Sequence, residues 1–172
     1  MDKIKKLDIH IPRWEELPDI DLYLDQVVTF IDKYLGSYIK NDFNNNGSEE
    51  NKLLTKTMIN NYVKQKVMPA PIQKKYSKTS LAYLIIICIL KQVYSINDIN
   101  KLIKIGLRHS TIDVAYNTFC NSLENAIDFT FNGINNLNIE KQSSVEYLLF
   151  NVVQTFASKL YVEDKYLRKF KN

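Results

Sequence analysis

At 172 residues, with a hydrophobic fraction of 45% and a charged fraction of 24%, the chain can bury one substantial core without staples, and its composition excludes a disordered polymer. Four glycines and four prolines are too few to punctuate an all-β chain, so helices are expected throughout. The net charge of +4 is unevenly carried: Asn51 to Asn97 holds eight lysines and no acid, against fifteen basic and nineteen acidic residues elsewhere.

The N-terminal MDKIKKLDIHIPRWEELP has no apolar stretch of a secretory signal, so a cytoplasmic protein is expected. A first helix is predicted to start after Pro18, capped by Asp19 or Asp21, because Leu24, Val27, Val28, Ile31, Tyr34, Leu35 and Tyr38 recur with a 3.6-residue period. NDFNNNGSEENK at 41–52 has no period and reads as a loop. TKTMINNYVKQK at 55–66 is predicted as a helix capped by Thr55. The two prolines of VMPAPIQKKY end it in a turn.

Ser77 opens SKTSLAYLIIICILKQV, which is apolar nearly all round and so belongs at the centre of a core. Its run at 81–90 is about half of the ~20 residues a membrane span needs, and Lys91 closes it; no membrane role is expected. Ser95 opens SINDINKLIKIGL, where Asp98 completes a Ser-x-x-Asp start, Ile96, Ile99, Leu102 and Ile103 form the stripe, and Gly106 is the stop. Two amphipathic helices follow. Residues 110–131 carry Ile112, Tyr116, Phe119, Leu123, Ala126 and Ile127 on one face; 141–169 carry Val145, Leu148, Leu149, Val152, Phe156 and Leu160. Three regions result: an arm, helix and Asn-rich loop (1–50), a cationic helical region (51–106) and a C-terminal helical region (107–172).

A lysine-rich, acid-free segment in an otherwise mildly anionic chain points to a polyanion, with double-stranded DNA the first expectation. On a helical wheel, Lys56, Thr57, Asn60, Asn61, Lys64 and Gln65 fill one half of the 55–66 helix, and Met58, Ile59, Tyr62 and Val63 the other, the side expected to meet the helix at 77–93. Lysine suits phosphate or guanine, asparagine the N6/N7 edge of adenine, and threonine a phosphate or a thymine methyl. Lys74, Lys75 and Tyr76, just before the Ser77 cap, suggest a short basic loop or hairpin beside that helix, with the tyrosine anchoring it. The expected site residues are therefore Lys56, Thr57, Asn60, Asn61, Tyr62, Lys64, Lys74, Lys75 and Tyr76.

MINNYVKQKVMP followed by KKYSKTSLAYLIIICILKQVYSINDINKLI resembles the MerR-type winged helix-turn-helix. The resemblance carries over onto Ile59 and Tyr62 in the helix, Val67, Met68 and Pro69 in the turn, Lys74, Lys75 and Tyr76 in a wing, and Leu81, Leu90, Ile96 and Ile99 in the supporting core. Two positions depart: the family's arginine falls on Asn60, and its turn glycine on Lys66. The longer pattern LPDIDLYLDQV, LTKTMINNYVKQ and the Ser-capped apolar helix is similar to bacterial proteins known as domain of unknown function 1836, which implies a transcription regulator without supplying an activity. The expected fold is all-α, a MerR-like winged helix-turn-helix with an N-terminal helix and C-terminal amphipathic helices.

Nothing in the motifs points to an enzyme, a metal or a cofactor. His10 and His109 have no acid or thiol at helical spacing, the four glycines are isolated, and Cys88 and Cys120 have no ligand spacing and read as free core thiols. Asp19, Asp21 and Asp25 are explained by capping. The leading reading is a sequence-specific DNA-binding regulator acting as a homodimer through its C-terminal helices, where the aromatic faces of Tyr116, Phe119, Phe129, Tyr147, Phe150 and Phe156 serve either the dimer or the chain's own core. The alternative is a protein-interaction or adaptor module docking an acidic partner. A small-molecule effector among the C-terminal helices is compatible with either, but no polar site in the sequence supports it.

Overall fold

The computed structural model describes residues 9–39, 53–108, 110–133 and 143–167. The expectations for the loop at 41–52 and for His109 lie outside them. The described residues form six α-helices and one two-stranded sheet: β1 (Leu22–Tyr23), α1 (Leu24–Leu35), α2 (Lys56–Lys64), β2 (Lys75–Tyr76), α3 (Lys78–Leu90), α4 (Ile96–Gly106), α5 (Ile112–Asn132) and α6 (Ser144–Lys165). The chain is all-α.

α3 is the axis of the fold. It packs against α1, α4, α5, α6 and β2, which explains why it is apolar all round: Leu81, Ala82, Leu84, Ile85, Ile87 and Cys88 have no solvent exposure. Each fully buried Leu or Ile there contributes about 1.5–3 kcal/mol. α4 starts as its sequence signals, with Ser95 Oγ accepting the Asp98 N–H at 3.2 Å, and ends at Gly106. α5 and α6 form the largest helix–helix interface. Tyr116, Phe119 and Phe156 are buried within the chain, whereas Phe129 and Tyr147 remain exposed.

The start of α1 differs from expectation. Its N-cap is Tyr23, whose N–H is taken by the Gln26 side chain at 2.8 Å, and neither Asp19 nor Asp21 caps it. The physical reason is β-pairing: Leu22 faces Tyr76 and Tyr23 faces Lys75 in an antiparallel ladder, which holds residues 22–23 extended and delays the helix. Ser77 takes up the extended N-cap conformation for α3 but makes no side-chain capping bond.

Preceding all of this, Ile9 to Leu17 forms an arm along α5, with a 3₁₀ turn at Trp14–Glu16. Tyr116 Oη donates to the Pro12 carbonyl at 2.6 Å, and Asn117 Oδ1 accepts the Trp14 N–H at 2.8 Å. Glu124 accepts the Ile11 N–H at 2.8 Å and both terminal nitrogens of the Arg13 guanidinium, at 2.8 and 2.5 Å.

Candidate functional site

α2 begins with Thr55, whose Oγ1 accepts the Met58 N–H at 3.2 Å. It has the two sides that its periodicity predicts. Ile59 is fully buried and Met58, Tyr62 and Val63 are half-buried, while Lys56, Thr57, Asn60, Asn61, Lys64, Gln65 and Lys66 are exposed. α2 packs on α1. Burial, with Cys88 of α3 nearby, pushes the Tyr62 phenol up to about 12, and its ring is partly buried against the core.

The helix ends in a Schellman motif. Val67 N–H donates to the Tyr62 carbonyl and Lys66 N–H to the Val63 carbonyl, both at 3.0 Å, with Lys66 at φ 56° between them. That is the backbone state for which glycine is usual. A second reversal follows. Ile72 and Lys75 exchange both backbone hydrogen bonds at 2.9 Å around Gln73 and Lys74, which have φ 49° and 65°. Positive φ at both central residues is the signature of a type I′ turn, normally built from Asn-Gly. Among the described residues, the non-glycine residues with positive φ are Lys66, Gln73 and Lys74. Each costs about 1–2 kcal/mol for an L-residue, and such strain concentrates at functional sites. The tip exposes Lys74 and an apolar Ile72, which is 75% exposed.

The charge map in space is narrower than along the sequence. Lys56 Nζ lies 2.5 Å from Asp25 of α1. Lys78 pairs with Asp19 and lies over the Trp14 ring, and Lys75 lies over the Tyr23 ring at 5.1 Å. Lys91 donates to the Leu53 carbonyl, and burial holds its pKa below the usual lysine range. The acids at 19–25 thus belong to the cationic segment's own scaffold. The side chains of Lys64, Lys66 and Lys74 are exposed, and their ammonium groups make no ion pair or hydrogen bond among the described residues. Tyr76 is 3% exposed, so it anchors β2 in the core and its ring is turned away from solvent. Of the expected residues, the structure brings Thr57, Asn60, Asn61 and Lys64 onto one exposed helix face with Lys56 at its start, sets Lys74 at a tip and Lys75 behind it, and turns Tyr62 and Tyr76 inward.

Sequence reasoning missed a neighbour. Asn100 and Lys104 of α4 line an open groove with Lys66, Val67, Met68 and Pro69. Their spacing of four places both on one helix face, but they lie beyond Asp98, where the acid-free stretch has ended.

Twenty residues of chain separate the end of α1 at Leu35 from the start of α2 at Lys56, and 40–52 lie outside the described residues. Among the described residues, no group of three or more His, Cys, Asp or Glu is placed to hold a metal ion, and no helix is long and apolar enough to cross a membrane. Cys88 and Cys120 are buried free thiols, each pushed up to about 12 by burial, and stay protonated.

These features define an all-α chain built on one apolar axial helix, with a cationic helix-and-turn face on one side. The model of the family described as Domain of unknown function (DUF1836) matches residues 12–119, and the chain belongs to that family. The match runs from the docked arm through the cationic face to Phe119 in α5. No curated protein and no solved structure matches the chain.

Proposed function

We propose that the chain is a sequence-specific DNA-binding regulator that places the exposed face of α2 in the major groove and sets the turn at 72–75 against the flanking backbone. The observation that carries this reading is the composition of that face: Lys56, Thr57, Asn60, Asn61, Lys64 and Gln65, with no acid of its own, continued by two lysines held on positive-φ backbone. Lysine supplies phosphate contacts and the paired asparagines supply base-edge contacts. A homodimer is part of the reading, because one α2 covers few base pairs; Phe129 of α5 and Tyr147 of α6 remain exposed for it.

The test is binding of the full chain to a random duplex as salt is varied. The logarithm of affinity falls with a slope near −0.9 per neutralised phosphate, and Lys64→Glu and Lys74→Glu each weaken binding about tenfold or more at low salt. No retention of duplex at low salt overturns the proposal.

A second reading has one observation in its favour: Asp25 and Asp19 already place protein carboxylates on Lys56 and Lys78, so the same surface accepts an acidic protein partner. In that adaptor role, Asn60→Ala and Asn61→Ala leave duplex preference unchanged because there is none to lose.

A further inference from the structure

We propose that a cavity between α3, α4, α5 and the start of α6 is a binding site for a small, uncharged, apolar molecule, and that α4 reports its occupancy to the cationic groove. The cavity measures about 170 Å³ and is lined by Leu90 of α3, Leu102 of α4, Leu107 just beyond it, Ala115 and Phe119 of α5 and Leu149 of α6. An enclosed apolar cavity of ~150 Å³ takes up benzene, and this pocket has a similar volume but opens to solvent past Thr118, Val145 and Leu148, so it suits a benzene-sized or short alkyl ligand.

The lining selects the chemistry. No charged side chain contributes to it among the described residues, so an ionised ligand would lose its hydration with no counter-charge to meet it. The polar groups there are the hydroxyls of Ser110 and Thr118. Thr118 Oγ1 donates to the Val114 carbonyl at 2.8 Å and Ser110 Oγ to the Thr111 carbonyl at 3.3 Å, which leaves both oxygens as acceptors. The site therefore fits a hydrocarbon or a molecule bearing one hydroxyl donor.

Position gives the site a consequence. Ile103 and Leu107 line this cavity and also the groove edged by Lys66, Asn100 and Lys104. One short helix thus has the apolar space on one side and exposed cations on the other. A ligand that repacks Ile103 and Leu107 moves the groove through direct contact, without a longer path.

The ligand site stands independently of the DNA-binding proposal, and its test uses no nucleic acid. The full chain, labelled for NMR, is titrated with toluene, with 1-pentanol and with pentanoate at neutral pH. Saturable shifts of the Leu102, Leu107 and Leu149 methyls are expected with both neutral probes, and binding of pentanoate at least tenfold weaker. The backbone amides of Lys66 and Lys104 are expected to shift with the same midpoint. Ala115→Leu fills the space and abolishes binding; xenon pressurised into crystals of the unaltered chain, expected in this cavity, gives a readout that needs no variant. Absence of saturable shifts with both neutral probes, equal binding of pentanoate, or undiminished binding in folded Ala115→Leu overturns the site. Self-association that Ala115→Leu abolishes would give the cavity to a second copy and also overturn it. Static Lys66 and Lys104 amides during saturation overturn the coupling.

Discussion

The arm at 9–17 and the segment from Lys56 to Tyr76 both lie against helices of one bundle, yet they turn their polar groups in opposite directions. In the arm, Arg13, Glu16 and the backbone N–H groups of Ile11 and Trp14 all find partners within the chain, most of them on α5. The Glu16 carboxyl is held below the usual range chiefly by the Arg13 backbone N–H and then by His10. In the second segment the inward side is apolar, while Lys64, Lys66, Asn60 and Asn61 point out and the backbone is strained at three positions. The difference teaches how to separate structural polarity from polarity held in reserve: the former is satisfied inside the chain, and the latter is exposed at a local energetic cost.

The largest expected effect lies on the arm. Glu124 accepts three hydrogen bonds, two of them from a guanidinium that is only partly exposed, so Glu124→Ala leaves the Ile11 N–H without its acceptor and Arg13 with Asn121 Oδ1 and the Ile11 carbonyl but no counter-charge on α5. A loss of about 2–3 kcal/mol in urea denaturation is expected, with duplex affinity of the folded protein unchanged within about twofold. Stability unchanged within about 0.5 kcal/mol would show that the arm is held by its apolar contacts alone. A fivefold loss of duplex affinity would break the comparison by making the arm part of the binding surface.

The next effect belongs to the asparagines, and it has the opposite signature. Asn60→Ala and Asn61→Ala remove exposed amides with no structural partner among the described residues and put a better helix former inside α2, so denaturation midpoints hold or rise slightly. Affinity for the preferred duplex, identified by selection from a random pool, is expected to fall by about 1–2 kcal/mol, and affinity for random duplex far less. Equal losses on both duplexes would assign the amides to the backbone and not to base edges.

Much of this architecture is readable from residue order. The all-apolar run around Leu84–Leu90 identifies the axial helix, the Thr55 and Ser95 caps place two helix starts, and the period of Met58, Ile59, Tyr62 and Val63 separates the two sides of α2. What is not readable is non-local. That Asp25 meets Lys56, and that Leu22–Tyr23 pairs with Lys75–Tyr76, depends on contacts across long stretches of chain, which no local pattern encodes. The same blindness makes eight lysines look like one cationic surface, when several are engaged by residues 14–25. The φ of 56° at Lys66 is likewise a property of the backbone that a lysine at this position does not announce.

Lys66 allows the two sides of the comparison to be tested in one residue, with the smallest expected effect. Lys66→Gly relieves the left-handed strain at C′ of α2 and is expected to raise stability by about 1 kcal/mol, while the duplex salt slope becomes shallower by about 0.9 if the ammonium meets a phosphate. Lys66→Ala removes the same charge but keeps a Cβ in the strained conformation, so it is expected to share the change in slope without the gain in stability. The difference between the two variants isolates the strain from the charge. Equal stability for both would mean that the Schellman turn tolerates a side chain at no cost, and the positive φ of Lys66 would then be no sign of a surface selected for binding.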